Sequence, residues 1–156
     1  MKSLYVLNKV ILLSVLSILC TGQANAYTQA EVKQAIVKQS VEMGVDPAIM
    51  LSIAKTESGF RQEAKGYSGT VGVFQLLPAT AKKMGLNPYD LQDNIKGGIT
   101  YYKNMYKSFG SMELAVAAYN TGPDRIKRNN NQVPQSAKPF VSRIIKDYNY
   151  YKSQNL

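Results

Sequence analysis

Apolar residues recur every three to four positions along most of the chain, a spacing that predicts a protein built mainly of helices. Thr28 and Glu31 have the spacing of a capping box, so a helix should begin there and stop near Gly44. Asp46 followed by Pro47 is typical of a second helix start, with an N-cap side chain and a proline in the first turn. Two consecutive helices are therefore expected in this region.

The second of these helices carries an apolar stripe that ends in a carboxylate. Ile49, Ile53 and Glu57 are spaced by four residues and share one face, and the helix should end at Gly59. Burial and the negative end of the helix dipole both disfavour a charged carboxyl, so the pKa of Glu57 should be raised. The spacing leaves an alternative open, in which Glu57 turns outward and pairs with Arg61.

The rest of the chain alternates loops with further helices. Residues 60–73 contain three glycines and few aliphatic side chains, which predicts a loop or a short hairpin. The pair Gly122-Pro123 should break the chain. No internal repeat or linker is present, so residues 27–156 are expected to form one all-α domain. Helices are expected over residues 78–85, 91–109, 111–120 and, after Pro134, at the C-terminus.

The first 26 residues have the pattern of a secretory signal peptide. Lys2 and Lys9 supply positive charge, and residues 10–19 form an almost uninterrupted apolar run. The small-residue pattern that ends at Ala26 predicts cleavage after that residue, so that the mature chain begins at Tyr27. The protein is therefore predicted to be exported to the periplasm or cell envelope.

Two other interpretations of the N-terminus are less favoured. A membrane-spanning helix needs about 20 apolar residues, and the apolar run is roughly half that length. Cys20 could carry a lipid, but the residue before a lipidated cysteine is normally small, whereas here it is Leu19. We therefore expect no stable membrane insertion after cleavage of the signal.

The amino-acid composition excludes several kinds of catalysis for the mature chain. The chain contains no histidine, and its single cysteine lies in the predicted signal. Ser-His, Cys-His and thiol catalysis are thereby excluded, a zinc site is disfavoured, and no metal or cofactor is expected. Acid–base chemistry then depends on carboxylates, tyrosines and lysines.

The net charge of the mature chain indicates which polymers or surfaces it would bind. Without Lys2 and Lys9, 17 basic residues stand against 10 acidic residues, a net charge of +7. Such a charge favours anionic cell-wall polymers or membrane surfaces, or serves solubility alone. Nucleic acid is not an expected partner, because the basic residues are scattered and the chain should leave the cytoplasm.

Four short blocks follow one another in a distinctive order and spacing. Together they resemble the catalytic domain of the soluble lytic murein transglycosylases, over residues 32–140. The blocks are Glu57-Ser58-Gly59-Phe60, then Gly72-Val73-Phe74-Gln75-Leu76-Leu77-Pro78, then Asn94-Ile95 with Gly98 and Tyr101-Tyr102, and finally Ala117-Ala118-Tyr119-Asn120-Thr121-Gly122-Pro123.

The resemblance implies a lysozyme-like fold with a cleft for a glycan strand. It makes Glu57 the catalytic acid and implies that Ser58 steadies that glutamate. It also implies that Gly72 and Gln75 line the cleft, with Phe74 in a position where the family often has methionine. Gln75 could instead cap the helix that follows it.

The last two blocks complete the predicted site. The resemblance implies that Tyr119 faces the catalytic carboxyl, beside Asn120. Tyr101 and Tyr102 could stack on sugars. Tyr119 could also be an ordinary core residue whose buried hydroxyl needs a hydrogen-bond partner.

The family's reaction needs a single carboxyl group. Glu57 would protonate the glycosidic oxygen after N-acetylmuramic acid and then accept a proton from that sugar's own C6 hydroxyl, which closes a 1,6-anhydro ring. Two alternatives stay open: a lysozyme-type hydrolase of the same fold, and a non-catalytic peptidoglycan-binding assembly factor. We expect no separate wall-anchoring domain in so short a chain, which resembles small exported members that accompany secretion, conjugation or pilus machines.

Overall fold

A computed structural model of the chain describes residues 26–154. Over this part of the chain the fold is all-α, as expected, and the backbone pairs elsewhere only in isolated bridges of Val71 with Lys65 and with Leu76. The helices are α1 (Gln29–Glu42), α2 (Pro47–Ser58), α3 (Pro78–Lys83), α4 (Leu91–Phe109), α5 (Met112–Thr121), α6 (Pro123–Arg128) and α7 (Lys138–Lys152), with a 3₁₀ turn at Gln135–Ala137.

The predicted starts of the first two helices are confirmed. The Thr28 hydroxyl accepts a hydrogen bond from the Glu31 N–H at 3.2 Å, and the Glu31 carboxylate accepts one from the Thr28 N–H at 2.8 Å. The Asp46 carboxylate accepts a hydrogen bond from the Ala48 N–H at 3.0 Å. These local contacts satisfy backbone donors that a helix start leaves free.

The centre of the domain is α2. Seven consecutive residues of this helix, 48–54, are buried, because α1 and α7 both pack against it. The α4 helix packs against α1 and α5, and α5 in turn packs against α6 and α7. Close packing on nearly all sides restrains the movement of a helix. The last turn of α2, which carries Glu57, is therefore held in a fixed position.

One element was not predicted from the sequence. The chain does turn at Gly122, but Pro123 then begins α6 instead of a loop. Proline is favoured in the first turn of a helix, since its missing N–H has no partner there. Ile126 of α6 is fully buried, which explains why this six-residue helix is held in place.

The predicted signal peptide lies outside the described residues, apart from Ala26. Across residues 26–154, the structure has no helix with the length and apolar character that crossing a membrane requires.

Candidate active site

A cleft of about 600 Å³ opens beside the last turn of α2. Five of the eight site residues predicted from the sequence line it: Glu57, Gln75, Tyr101, Tyr119 and Asn120. The other three, Ser58, Gly72 and Phe74, lie behind its wall. The remaining lining residues are Tyr67, Ser68, Thr70, Leu76, Leu77, Thr80, Thr121 and Gly122.

Glu57 is half-buried at the end of α2, where burial raises the pKa of its carboxyl to about 7. The alternative of an ion pair with Arg61 is wrong, because the Arg61 Nε donates instead to the Ser58 carbonyl at 2.8 Å. Within residues 26–154 the ion pairs are Lys55–Asp147 and Lys152–Asp46. The Glu57 carboxyl therefore faces the cleft without a cation to hold it in the charged form.

The chemistry of the cleft wall is neutral and polar. Among the described residues that line it, Glu57 is the only carboxylate and none is Lys, Arg or His. The other polar groups are hydroxyls and amides from Ser, Thr, Tyr, Asn and Gln. This wall matches an uncharged ligand with many hydroxyl groups better than an anionic ligand.

Ser58 joins the end of α2 to the loop that forms one cleft wall. Its hydroxyl donates to the Val73 carbonyl at 2.8 Å and accepts a hydrogen bond from the Arg61 N–H at 3.1 Å. These bonds do not go to the Glu57 carboxyl. Any effect of Ser58 on Glu57 must therefore pass through the position of the backbone.

The loop over residues 60–77 is held by the amide of Gln75. The Gln75 Nε2 donates to the Gly72 carbonyl at 2.8 Å and the Ala64 carbonyl at 3.2 Å, and its Oε1 accepts from the Thr70 hydroxyl at 2.8 Å. Gln75 also has a φ of 47°, an uncommon backbone conformation for a residue with a side chain. The amide thus stabilises the loop, and it does not cap α3, whose first turn receives no side-chain hydrogen bond.

The backbone conformation and the neighbouring side chain both require a glycine at position 72. Its φ is 80°, and a Cβ at this position would collide with the side chain of Asn94. Asn94 is fully buried, and its Oδ1 accepts a hydrogen bond from the Phe74 N–H at 2.8 Å. Its Nδ2 donates to the carbonyls of Val71 at 3.0 Å and of Pro88 at 2.8 Å.

Asn94 was not among the site residues predicted from the sequence. The only signal for it was its place in the third motif block, and no local pattern indicates which backbone groups it contacts. A fully buried amide with three partners fixes a loop strongly, and the Phe74 N–H would be unpaired without it. The carbonyls of Val71 and Pro88 also accept hydrogen bonds from the Leu76 N–H and the Gln62 Nε2, respectively.

The Phe74 side chain lies in the core and not in the cleft. It is fully buried against Gly98, where any side chain would collide with its ring. Only the Phe74 carbonyl contributes to the site, because it accepts a hydrogen bond from the Tyr119 hydroxyl at 2.8 Å.

Tyr119 is buried beside Glu57. Burial raises the pKa of Tyr119 well above its ordinary value, and the nearby Glu57 charge adds to this effect. The phenol is therefore a neutral donor, with its proton directed at the Phe74 carbonyl. The ring of Tyr101 meets the ring of Tyr119 edge-on, with centroids 5.1 Å apart. Tyr102, by contrast, is buried and does not line the cleft.

Comparison with known proteins places the chain in a family. Residues 34–140 match the family described as the transglycosylase SLT domain. The chain belongs to this family.

Several members are similar in sequence. A transglycosylase of enterobacteria phage PRD1 is 28% identical over 117 residues, which cover 74% of this chain and 42% of the relative. A protein of Haemophilus influenzae named membrane-bound lytic murein transglycosylase C is 29% identical over 113 residues, covering 60% of this chain and 32% of the relative. The chain therefore spans less than half the length of these relatives.

Solved structures share the fold. The 70 kDa soluble lytic transglycosylase of Escherichia coli superposes with a TM-score of 0.69 at 24% identity, covering 77% of this chain and 24% of that chain. An inactive mutant of the lytic transglycosylase Slt of Pseudomonas aeruginosa gives the same TM-score at 23% identity, covering 78% of this chain and 24% of that chain. The described helices thus form the all-α fold of the SLT domain.

Removing the hydroxyl of Tyr119 should destabilise this SLT domain. In Tyr119→Phe the buried Phe74 carbonyl loses its partner, which should lower the free energy of unfolding by about 1–2 kcal/mol. Chemical denaturation of both proteins measures the difference. Tyr101→Phe is the matched control, since Tyr101 keeps its edge-on ring contact and its hydroxyl has no hydrogen-bond partner among the described residues. If both variants lost the same free energy of unfolding, the hydrogen bond from Tyr119 to the Phe74 carbonyl would not be what stabilises the fold.

The stability of the SLT domain should depend on pH through Glu57. The pKa of its carboxyl rises from 4.5 to about 7 on folding, so between these values the folded state binds more protons than the unfolded state. The free energy of unfolding should therefore fall as pH rises from 4.5 through 7, and remain lower above 7.

The variant Glu57→Gln isolates this contribution. At pH 9 it should be more stable than the wild type by about 2 kcal/mol, the value of the pKa shift reduced for the partial exposure of the side chain. At pH 4 the two proteins should be nearly equally stable, because the wild-type carboxyl is then mostly protonated in both states. Denaturant unfolding at the two pH values tests this, and a variant less stable than the wild type at pH 9 would refute a buried, unpaired carboxyl.

Proposed function

We propose that this protein is a peptidoglycan lytic transglycosylase in which Glu57 acts as general acid and then as general base. The observation that carries the proposal is the state of Glu57. It is the single carboxylate among the described lining residues of a neutral, hydroxyl- and amide-rich cleft, and its pKa is about 7. A carboxyl with such a pKa is partly protonated near neutral pH, as a glycosidase needs for its acid.

The first step is protonation of the leaving group. The protonated Glu57 carboxyl donates its proton to the glycosidic oxygen that joins N-acetylmuramic acid to N-acetylglucosamine, and the bond to C1 of N-acetylmuramic acid breaks. The carboxylate that remains has no cation beside it, which makes it a good proton acceptor. The hydroxyl of Tyr119 donates to the Phe74 carbonyl and so ties α5 to the loop that forms the cleft wall.

The second step needs no second carboxylate. The C6 hydroxyl of the same N-acetylmuramic acid attacks C1 and loses its proton to Glu57, which forms a 1,6-anhydro ring and restores the acid. Because the nucleophile is already tethered to the substrate, such an attack can have a very high effective molarity. This route is consistent with a cleft that has one carboxylate.

A lysozyme-type hydrolase is the second candidate, and Asp124 is the carboxylate that we would test for it. A retaining hydrolase uses two carboxyls about 5 Å apart. Burial raises the pKa of Tyr101, and the charge of Asp124 adds to this effect, so Asp124 lies near the cleft. It is exposed, however, and does not line the cleft. The variant Asp124→Asn should keep the full rate if the C6 hydroxyl is the nucleophile, and should lose most activity if Asp124 serves a hydrolase.

Release of fragments from purified sacculi tests whether the protein cleaves at all. We expect the protein comprising residues 27–156 to convert insoluble sacculi into soluble muropeptides without added metal or cofactor. Binding to sacculi with no release, over a range of pH from 5 to 8, would instead support the non-catalytic assembly factor.

We also propose that the protein works in the cell envelope, and that it opens the wall for a secretion, conjugation or pilus machine. The pattern of residues 1–26 supports export, and the machine is an inference from small members that the sequence resembles. Expression of the full chain with a C-terminal tag should give a periplasmic protein whose first residue is Tyr27. A tagged protein retained in the cytoplasm would contradict the proposed location.

A further inference from the structure

Tyr67 stands at the rim of the cleft on a tight turn. The Gly69 N–H donates to the Gly66 carbonyl at 3.0 Å, and the Gly66 N–H donates to the Thr70 carbonyl at 2.9 Å, so residues 66–70 double back on themselves. The Tyr67 side chain at the tip of this turn is fully exposed, and it nevertheless lines the cleft. Both faces of its ring are open to a ligand.

Position distinguishes Tyr67 from the other exposed tyrosines. Single exposed apolar side chains are common and by themselves indicate nothing. Tyr27, Tyr89, Tyr106 and Tyr150 are 48–63% exposed, so each keeps part of its surface covered by the protein, and none lines the cleft. Tyr67 alone among these is unsupported by the fold and adjacent to the candidate active site.

The base of the turn is fixed although its tip is exposed. The Thr70 hydroxyl donates to the Gln75 Oε1, and the Gln75 amide is bonded to two loop carbonyls. A Cβ at Gly66 would collide with both the Thr70 hydroxyl and the Gln75 Oε1, so glycine is needed for this arrangement. A fixed base holds the backbone of Tyr67 in place, so binding has to order only the torsions of its side chain.

We propose that Tyr67 binds a sugar ring of the glycan strand by stacking, at the rim of the cleft and away from the reacting bond. This inference rests on the proposed function for the identity of the ligand. A pyranose ring has apolar C–H faces, and a tyrosine offers a flat apolar surface with few rotatable bonds and a polar tip. Leu77, which is 45% exposed and lines the same cleft, adds apolar surface for the strand.

Stacking at the rim should affect binding and not the chemical step. An interaction made equally with the ground state and the transition state changes KM and leaves kcat unaltered. Tyr67→Ala should therefore raise KM for soluble, uncrosslinked glycan strands about tenfold, with kcat within about twofold of the wild type. Tyr67→Phe should restore the wild-type KM, since the ring is kept. Because Tyr67 makes no packing contacts, neither variant should change the thermal midpoint.

A binding measurement without turnover separates this inference from the proposed function. In the Glu57→Gln background, calorimetric titration with the same strands should show that Tyr67→Ala weakens the affinity about tenfold. Tyr150→Ala is the matched control: Tyr150 is 57% exposed, lies on α7 and does not line the cleft, so the affinity should not change.

The outcomes are distinguishable. Unchanged KM and unchanged affinity in Tyr67→Ala would overturn the stacking role and leave the catalytic function of Glu57 intact. A fall in kcat at constant KM would also overturn it, because Tyr67 would then act on the reacting bond. If the strands bind in a Tyr67-dependent way but are never cleaved by the wild type, the stacking role holds and the proposed enzyme function fails.

Discussion

Glu57→Gln should lower the rate of fragment release from sacculi by about 10³-fold or more. General acid–base catalysis contributes about 10²–10⁴-fold, and glutamine can neither donate nor accept the proton that both proposed steps require. No other described residue of the cleft lining carries a carboxyl that could substitute for it. The loss should appear in kcat, with the affinity for soluble strands nearly unchanged.

A matched carboxylate outside the cleft provides the control. Glu63 lies in the loop that follows α2, is exposed and does not line the cleft, so Glu63→Gln should cleave at the wild-type rate. Circular dichroism and thermal melting of both variants establish that they are folded. Retention of more than a tenth of the wild-type rate in Glu57→Gln would exclude Glu57 as the acid.

Asn94→Ala should cause the largest loss of stability among the substitutions considered. Truncation leaves the Phe74 N–H without a partner inside the protein, at about 1–3 kcal/mol, and also opens a cavity. It removes one of two hydrogen bonds from each of the Val71 and Pro88 carbonyls, at about 0.5–1.5 kcal/mol each, because these keep the Leu76 N–H and the Gln62 Nε2 as donors. Water will reach some of these groups, so a loss of about 4 kcal/mol in the free energy of unfolding is expected. Lys96→Ala, at an exposed position on the same helix, should change it by less than about 0.5 kcal/mol.

The Asn94 variant should also lose activity, because the loop that carries Gln75 and the Phe74 carbonyl would no longer be fixed. Asn94→Asp distinguishes the two halves of the amide. It keeps the acceptor for the Phe74 N–H but places a second oxygen against the Val71 and Pro88 carbonyls, so it too should be strongly destabilised. A stable, active Asn94→Asp would show that the Nδ2 hydrogen bonds contribute little.

The helices of this fold were predictable because their ends are determined locally. The Thr28 capping box and the Asp46-Pro47 pair specify helix starts through groups two or three residues away. The four-residue spacing of Glu57 with Ile49 and Ile53 put it on the apolar face of α2 but left an ion pair with Arg61 open. Both kinds of signal depend on short-range geometry, which the order of residues contains directly.

The loop that forms the cleft wall could not be predicted in the same way. Its shape depends on hydrogen bonds between residues far apart in sequence, such as Tyr119 with Phe74 and Asn94 with Val71. Phe74 was predicted as a site residue, but its side chain lies in the core beside Gly98 and does not line the cleft. The helix after Pro123 was missed because its single buried residue gives no periodic pattern.

Cleavage of sacculi in ¹⁸O-labelled water, followed by mass spectrometry of the released muropeptides, tests the central claim most directly. The account predicts fragments that end in 1,6-anhydro-N-acetylmuramic acid, which are one water lighter than reducing ends and contain no label from the solvent. The same digestion with Glu57→Gln should release no such fragments. Reducing ends that carry one ¹⁸O atom would contradict the account, because water and not the C6 hydroxyl would then be the nucleophile.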